Sequence, residues 1–397
     1  MQPRNAYIAS AVRIAVGKAR KGALRNARPE ALGAHVVNAA TQRVKGLDLG
    51  QVDDCLIGCA FPEGAQGMNM GRIIAQKAAL PDSVPGATIN RFCSSGLQTI
   101  VMASQAVSAG HASVVVAGGV ESMSRVPMSG FFFQPDPSTV DDRPEVYVSM
   151  GITAENVAAK YNVSREDQDA FALQSHQRAL DAIESGRFKD EIAPYEMTDV
   201  LYDDSDQQAH THTFTHDTDE GPRADTSLEA LGRLRPAFRA GGSVTAGNSS
   251  QMNDGAAATV VIDEDTKNAL GIDPMGRVVG FALSGVAPEL MGIGPIGAIQ
   301  KVLKQTGLSV SDIDLVELNE AFAAQALAVM REVGLDQSKV NVNGGAIALG
   351  HPLGCTGAKL TTTLLHEMER RGSRYGIVSM CVGGGMGAAA VIENLRR

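Results

Sequence analysis

Two stretches of this chain repeat one plan. A cysteine precedes a helical pattern that a glycine closes at the same distance in both, Cys93 to Gly110 and Cys355 to Gly372. Leu97, Ile100, Val101, Ser104 and Val107 share one face of the first helix, and Leu360, Leu364 and Met368 share one face of the second. Each helix leads to a β-branched strand, residues 114–117 or 377–380, that runs into Gly118-Gly119 or Gly383-Gly384-Gly385. A repeat at the scale of half the chain leaves few architectures open. Two copies of one α/β unit, packed face to face, bring helix N-termini from both copies to one shared site.

Further strand patterns at residues 6–12, 258–262, 278–281 and 314–318 alternate with helical ones, the signature of α/β layering with buried sheets. We expect an N-terminal domain over residues 1–120, completed by about 245–272. A loop domain inserted over 121–244 and a C-terminal domain over 273–397 complete the chain. The insertion is richer in Pro, Asp and His and poorer in strand signals. It carries one clear helix pattern, 167–185, stopped by Gly186. It also carries Phe131-Phe132-Phe133 before a Pro-rich turn, which points to a subunit interface or, failing that, to a wall of the ligand site.

Composition narrows the function classes. A hydrophobic fraction of 44% is too high for disorder, and no apolar run is long enough for a membrane span. A net charge of −9 gives no basic excess for a nucleic-acid partner. Five cysteines in 397 residues are not a disulfide framework, so a reducing, cytoplasmic setting is expected, with an organelle matrix as the other option. Arg13, Lys18, Arg20 and Lys21 follow the first strand as a solvated basic loop or, on a sharper reading, a positive rim for an anionic ligand.

Several motifs are decoys. Cys55 and Cys59 lack a nearby second pair for zinc and read as buried small residues. Gly383, Gly385 and Ala388 have dinucleotide-fingerprint spacing, yet no full βαβ unit follows them. His210 and His212 alternate with threonine, as on one face of a polar edge strand, and with His216 they complete no obvious ligand set. No metal site is expected. Asp203, Asp204 and Asp206 read as a solvated turn.

Three segments join a reactive side chain to small neighbours. In Asn90-Arg91-Phe92-Cys93-Ser94-Ser95-Gly96 a cysteine sits between strand and helix, where free N–H groups and the helix dipole stabilise a thiolate. Gly350-His351-Pro352-Leu353-Gly354-Cys355-Thr356-Gly357 places a histidine in a rigid turn before a helix. Cys381-Val382-Gly383-Gly384-Gly385-Met386-Gly387 sets a thiol before glycines able to form an anion-binding concavity. Together they supply a nucleophile, a base, a second acid/base and oxyanion donors.

These blocks, with Asn319 in N-E-A-F-A, resemble the four active-site blocks of the thiolases in order and spacing, and the similarity runs from about Tyr7 to Asn394. The resemblance implies two related α/β domains in αβαβα layers plus an inserted loop domain. It also implies coenzyme A thioesters as substrates, with no permanently bound cofactor. In it His351 takes the proton of Cys93, which attacks a 3-ketoacyl-CoA, and Cys381 handles the proton of acetyl-CoA and then of incoming CoA. One oxyanion falls to His351 and a water fixed by Asn319, the other to the N–H groups of Cys93 and Gly383. Ser250 in A-G-N-S-S and Arg223 match coenzyme A contacts, and Met150, Phe238 and Phe322 match apolar walls around the thioester. Cys355 is not the nucleophile in this pattern.

Blocks R-F-C-S-S-G-L-Q and A-G-N-S-S-Q resemble degradative 3-ketoacyl-CoA thiolases, and Ser149 replaces the histidine that short-chain biosynthetic members carry before M-G-x-T-A-E-N. The alternatives are a biosynthetic acetoacetyl-CoA thiolase and, in another class, a non-catalytic CoA- or lipid-binding relative. The latter is expected to lack Cys93, His351 or Cys381. A decarboxylating condensing enzyme fits poorly, because those pair the nucleophile with two histidines or His and Asn. A homodimer or homotetramer and a β-oxidation partner enzyme are the partners the resemblance suggests.

Overall fold

The computed structural model describes residues 4–203 and 205–397. In the first half the elements are β1 (Ala6–Arg13), β2 (Gly17–Lys18), α1 (Pro29–Gln42), β3 (Asp54–Gly58), α2 (Met70–Lys77), β4 (Gly86–Ile89), α3 (Ser95–Ser108) and β5 (Val114–Ser122). An intervening region holds α4 (Pro137–Asp142), α5 (Met150–Lys160), α6 (Arg165–Glu184), a ribbon of β6 (Tyr195–Asp203) and β7 (Gln208–His216), and α7 (Leu228–Gly232). Then come β8 (Asn253–Asp263) and α8 (Glu264–Leu270). The second half contains β9 (Gly276–Gly285), α9 (Gly294–Thr306), β10 (Leu315–Leu318), α10 (Ala323–Val333), α11 (Ala346–Leu349), α12 (Leu353–Arg371), β11 (Tyr375–Val382) and β12 (Met386–Asn394).

The duplication is written in the strand order. Apart from β2, which pairs with β8, the large sheet runs β10-β11-β12-β9-β1-β8-β5-β3-β4. In each half a parallel pair, β3·β5 or β10·β11, is extended by two antiparallel partners, β8 and β1 or β12 and β9. The halves meet through a single pairing of Ile8 with Gly276. Helices α3 and α12 are packed together in an apolar core between the halves, while α1 and α2 cover one outer face and α9 and α10 the other. The result is an αβαβα stack.

Helix α12 is buried around nearly its whole girth, as a central-layer helix must be, and Gly372 in left-handed conformation ends it. Close contact of the two central helices depends on glycine. A side chain at Gly96 would meet the backbone of Ala358 at 2.7 Å, and one at Gly357 would meet that of Leu97 at 2.2 Å. Both helix N-termini therefore lie near each other, with Cys93 at one and His351 at the other.

Two expectations are corrected. Arg13 belongs to no positive rim: it is buried, donating from Nε to Glu191 at 2.6 Å and from Nη1 to Asp219 at 2.8 Å. Its sequence neighbourhood is basic, but β1 carries it inward to two carboxylates from the intervening region. That region is also less poor in strand than its composition suggests, because β6 and β7 pair over nine residues each. The polar-edge-strand reading of His210 and His212 does hold in β7.

Cys55 and Cys59 are buried as expected. Among the described residues no three His, Cys, Asp or Glu side chains gather as metal ligands. His210 instead faces Asp206 at 2.6 Å, and His216 is buried against the Ala15 carbonyl at 3.1 Å. Asp204 of the acidic run lies outside the described residues. Phe131, Phe132 and Phe133 are 59%, 78% and 59% exposed on the single chain, so nothing within it buries them. No helix among the described residues is long and apolar enough to cross a membrane.

Candidate active site

Cys93 lies in a single 3-10 turn, Phe92–Ser94, that enters α3. The turn is strained: Phe92 has φ +40°, a region that costs a non-glycine residue roughly 1–3 kcal/mol. Its neighbours hold it there. Ser95 Oγ accepts from the Arg91 N–H at 2.9 Å and donates to the Phe92 carbonyl at 2.6 Å, while Asn90 Oδ1 accepts from the Phe92 N–H at 2.8 Å. The motif around the cysteine is thus a set of staples. Of the five cysteines, Cys93 alone keeps partial solvent access, though its thiol faces the protein interior.

Burial pushes the Cys93 thiol up to about 12, and the backbone N–H groups of Gly383 and of Cys93 itself act against that rise. Both N–H groups therefore lie close enough to favour negative charge on the sulfur. Gly383 opens a hairpin turn between β11 and β12, and its two successors, Gly384 and Gly385, each have φ +82°. Glycine is demanded at those two by backbone conformation. Gly383 has no such need, and a methyl there would meet only Phe92 at 3.5 Å and Met150 at 3.9 Å, ordinary contacts. Protein packing leaves space between Phe92 and Met150 that a side chain would occupy.

Cys381, next to last in β11, lies in an apolar cluster with Ala154, Val244, Met291, Ala321 and Phe322, against which Met150 packs. Burial and the neighbouring Cys93 both push its thiol up, so it stays protonated at neutral pH. Phe238 meets Phe322 edge-on at 5.9 Å between ring centres. Met150, Phe322 and Phe238 thus form an apolar wall from Cys381 outward.

His351 is buried and held at three points. Its N–H donates to Asn253 Oδ1 at 3.0 Å, its Nδ1 lies 2.6 Å from Thr356 Oγ1, and its Nε2 lies 3.3 Å from Asn319 Nδ2. Thr356 Oγ1 donates to the Pro352 carbonyl at 3.1 Å, so it accepts from Nδ1–H. The lone pair is then on Nε2. Burial first, and the charge of Lys359 second, bring the imidazole down to about 3, which keeps it neutral and able to accept a proton. Asn319 extends β10, its N–H bonded to the Ser379 carbonyl at 2.9 Å, and its Oδ1 is buried without a protein donor. Leu353, two residues past His351, shares a small cluster with Phe92 and Cys93.

The remaining candidates are more peripheral. Ser250 is half-buried, its N–H bonded to the Ala321 carbonyl at 2.9 Å, which ties the Ala246–Ser250 segment to the one following Asn319. Arg223 is exposed over 63% of its side chain, with Asp225 at 3.5 Å from its guanidinium and its N–H donating to His176 Nδ1 at 3.2 Å. Gln251 Nε2 bonds the Gly221 and Ile347 carbonyls, each at 3.1 Å, so the Arg223 segment runs beside the approach to His351. Cys355 is buried, its thiol up at about 12 by burial.

The family is decided by whole-chain comparison. A family model described as the thiolase N-terminal domain matches residues 6–265, and one described as the thiolase C-terminal domain matches residues 272–394. The chain belongs to the thiolase family. It is 53% identical to a 3-ketoacyl-CoA thiolase of Bacillus subtilis over 98% of this chain and 99% of that one. It is 45% identical to an acetyl-CoA acetyltransferase of Escherichia coli over 99% and 100% of the two chains. The crystal structure of the Bacillus anthracis acetyl-CoA acetyltransferase superposes with a TM-score of 0.89 at 44% identity, covering 99% of each chain.

Residues beyond the sequence candidates hold the histidine in place. Thr356, a hydroxyl five residues past a histidine in a tight turn, carries a usable sequence signal. Asn253 and Glu320 carry none. Asn253 anchors the His351 backbone from a distant strand. Glu320 accepts from Ser175 Oγ at 2.7 Å, Asn341 Nδ2 at 2.8 Å and the Ile347 N–H at 3.2 Å, which fixes α11 just before the histidine.

Proposed function

We propose that this thiolase cleaves 3-ketoacyl-CoA with CoA, giving acetyl-CoA and a shortened acyl-CoA, through an acyl group held on Cys93. The observation that carries the reading is the meeting of two thiols from the two halves of the fold. Cys93, at the head of α3, packs in one cluster with Leu353 from the turn after His351, and Cys381, on β11, stays protonated beside it. In the first half-reaction His351 Nε2 takes the Cys93 proton as the sulfur attacks the keto carbonyl. The carbon–carbon bond breaks, and Cys381 protonates the departing acetyl-CoA carbanion. In the second, Cys381 regains a proton from the CoA thiol, whose sulfur attacks the acyl group. Cys93 then leaves and recovers its proton from His351. Two half-reactions through one covalent intermediate imply ping-pong kinetics.

Each protonation state found in the resting site suits its role. A neutral imidazole is a base, and a thiol kept protonated by burial is an acid. When Nε2 gains a proton, rotation of the Asn319 amide presents Oδ1, which has no other protein partner, as an acceptor. The same oxygen suits a water for one oxyanion, and the N–H groups of Cys93 and Gly383 suit the other. Met150, Phe238 and Phe322 would flank the pantetheine and thioester, Ser250 would contact the former, and Arg223 would meet the phosphates. We also propose the domain division at 120, 244 and 272, and self-association through the Phe131–Phe133 patch, as dimer or tetramer.

Ser149 at the head of α5, where a bulkier polar residue would narrow the acyl site, favours degradation of longer chains. Condensation of two acetyl-CoA is the second reading, favoured by the acetyl-CoA acetyltransferase names among the relatives. Presence of Cys93, His351 and Cys381 argues against a non-catalytic CoA-binding role. A thiolysis assay across 3-ketoacyl-CoA chain lengths decides among them. Activity rising from acetoacetyl-CoA to longer substrates supports the first reading, activity confined to acetoacetyl-CoA the second, and none with any substrate the third.

A further inference from the structure

Glu121 is a buried carboxylate at the end of β5 for which the chemistry above has no use. Its Oε2 accepts from two backbone N–H groups, Ala60 and Gly354, each at 2.8 Å. Its Oε1 accepts from Gln66 Nε2 at 2.7 Å and has the Cys59 sulfur 3.9 Å away. The Phe61 N–H also bears on it. Neutral donors meet this carboxylate: among the described residues no Lys or Arg is ion-paired with it. A buried charge without a counter-ion is costly, so such an arrangement has to be fully hydrogen-bonded to persist.

The donors belong to opposite halves of the duplicated fold. Ala60 and Phe61 support the nucleophile turn: Asn90 Nδ2 donates to the Ala60 carbonyl at 3.0 Å, and the Phe61 ring packs on Phe92 at 5.9 Å. Gly354 lies in the first turn of α12, three residues beyond His351. A side chain at Gly354 would stand 2.7 Å from the Ala60 nitrogen and 2.8 Å from Glu121 Oε2, so no other residue fits that approach. The charge of Glu121 is felt at Cys59, Cys93 and Cys355 alike, as expected of a group lying between the two turns.

We propose that Glu121 is a positioning residue, whose single oxygen Oε2 fixes the spacing between the turn carrying Cys93 and the turn carrying His351. The assignment rests on the thiolase mechanism above only in naming which side chains must be spaced. Glu121→Met keeps approximate shape and removes both acceptors, whereas Glu121→Gln can set its amide oxygen in the Oε2 position and lose only the Oε1 acceptor. In Glu121→Met the Ala60 and Gly354 N–H groups lose their shared acceptor, and the two turns are free to part. A misplacement of about 1 Å at reacting atoms costs about a hundredfold in rate.

The test pairs steady-state thiolysis with the rate at which iodoacetamide alkylates Cys93, using the full-length wild type, Glu121→Met and Glu121→Gln. Folded Glu121→Met is expected to lose about a hundredfold in kcat with KM for CoA little changed, and to alkylate more slowly in parallel. Glu121→Gln, which keeps an oxygen for the Ala60 and Gly354 N–H groups, should show a smaller fall in both. A merely structural role would lower the melting temperature and leave kcat per folded molecule and alkylation alone. Unchanged kcat and alkylation in folded Glu121→Met overturns the assignment, as does a fall of about a hundredfold in folded Glu121→Gln, which retains the tie. A wild type inert in thiolysis would instead sink the catalytic reading, and the alkylation comparison would still judge Glu121.

Discussion

Gly383→Ala separates function from folding more sharply than any other single change in this chain. The added methyl meets Phe92 at 3.5 Å and Met150 at 3.9 Å, distances of ordinary van der Waals contact, and the residue has no positive φ to strain. Loss of glycine freedom in the unfolded chain should then stabilise the protein by about 0.4–1 kcal/mol. For a chain this long that is at most a few degrees in Tm. The methyl nonetheless projects between Phe92 and Met150, where the proposed thioester would lie against the Gly383 N–H. The N–H itself is retained, so the loss comes from the methyl holding the thioester off that donor. Full loss of one oxyanion donor costs about 10²–10³ in kcat, about 2.7–4 kcal/mol, and sets the upper limit. Thermal melting and thiolysis of acetoacetyl-CoA, measured on one preparation, read the two effects. Near-wild-type turnover would refute the idea that the Gly383 N–H is presented to substrate. A fall in Tm of many degrees accompanying the loss would mean that the glycine serves packing instead.

Other perturbations probe the acid and base. Thr356→Val removes the acceptor of His351 Nδ1–H and should lower kcat by about a hundredfold through ring misplacement, while Thr356→Ser stays near wild type; equal rates for both would dismiss the tautomer argument. Cys381→Ala should still acylate Cys93 measurably while overall turnover collapses, and unchanged steady-state turnover would remove Cys381 from proton handling. His351 also predicts an acid limb of stability. Its folded-state pKa, about 3, lies below the unfolded value near 6.5, so between them the unfolded chain binds the extra proton. Stability from this group is complete above about pH 6.5 and is lost as pH falls, at about 1.4 kcal/mol per pH unit. Denaturant titrations of His351→Asn should show a correspondingly flatter pH dependence between pH 4 and 6; an unaltered slope would mean that the imidazole is not held neutral.

Local chemistry was legible in the sequence and distant support was not. The paired Cys-to-Gly helices, α3 and α12, announced the duplicated fold because apolar spacing and terminal glycines are local signals. Strands β3, β4 and β12 were not among the strand patterns. In β12 the run Gly387-Ala388-Ala389-Ala390 carries little β-branching, since both of its faces are buried beneath packed helices and small residues fit there. Cys93, His351 and Cys381 stand out through small neighbours and turn chemistry, and Asn319 only through the resemblance to the thiolases. Arg13, Glu121 and Glu320 do not, because their partners lie tens to hundreds of residues away. A charged residue on an otherwise apolar strand, such as Arg13 or Glu121, reads from sequence as an edge or a surface. Only the tertiary placement of Asp219 or Gly354 reveals it as a tie inside the core.

The central claim is that Cys93 carries the acyl group between two reactions. Intact-mass analysis and peptide mapping after brief exposure to acetyl-CoA, with free CoA removed, test it most directly. The account predicts one acetyl group per chain, on the peptide containing Cys93, discharged on adding CoA and absent from Cys93→Ala. Label on Cys381 or Cys355 instead, or steady thiolysis by a chain that never accumulates or passes through such an adduct, would contradict it.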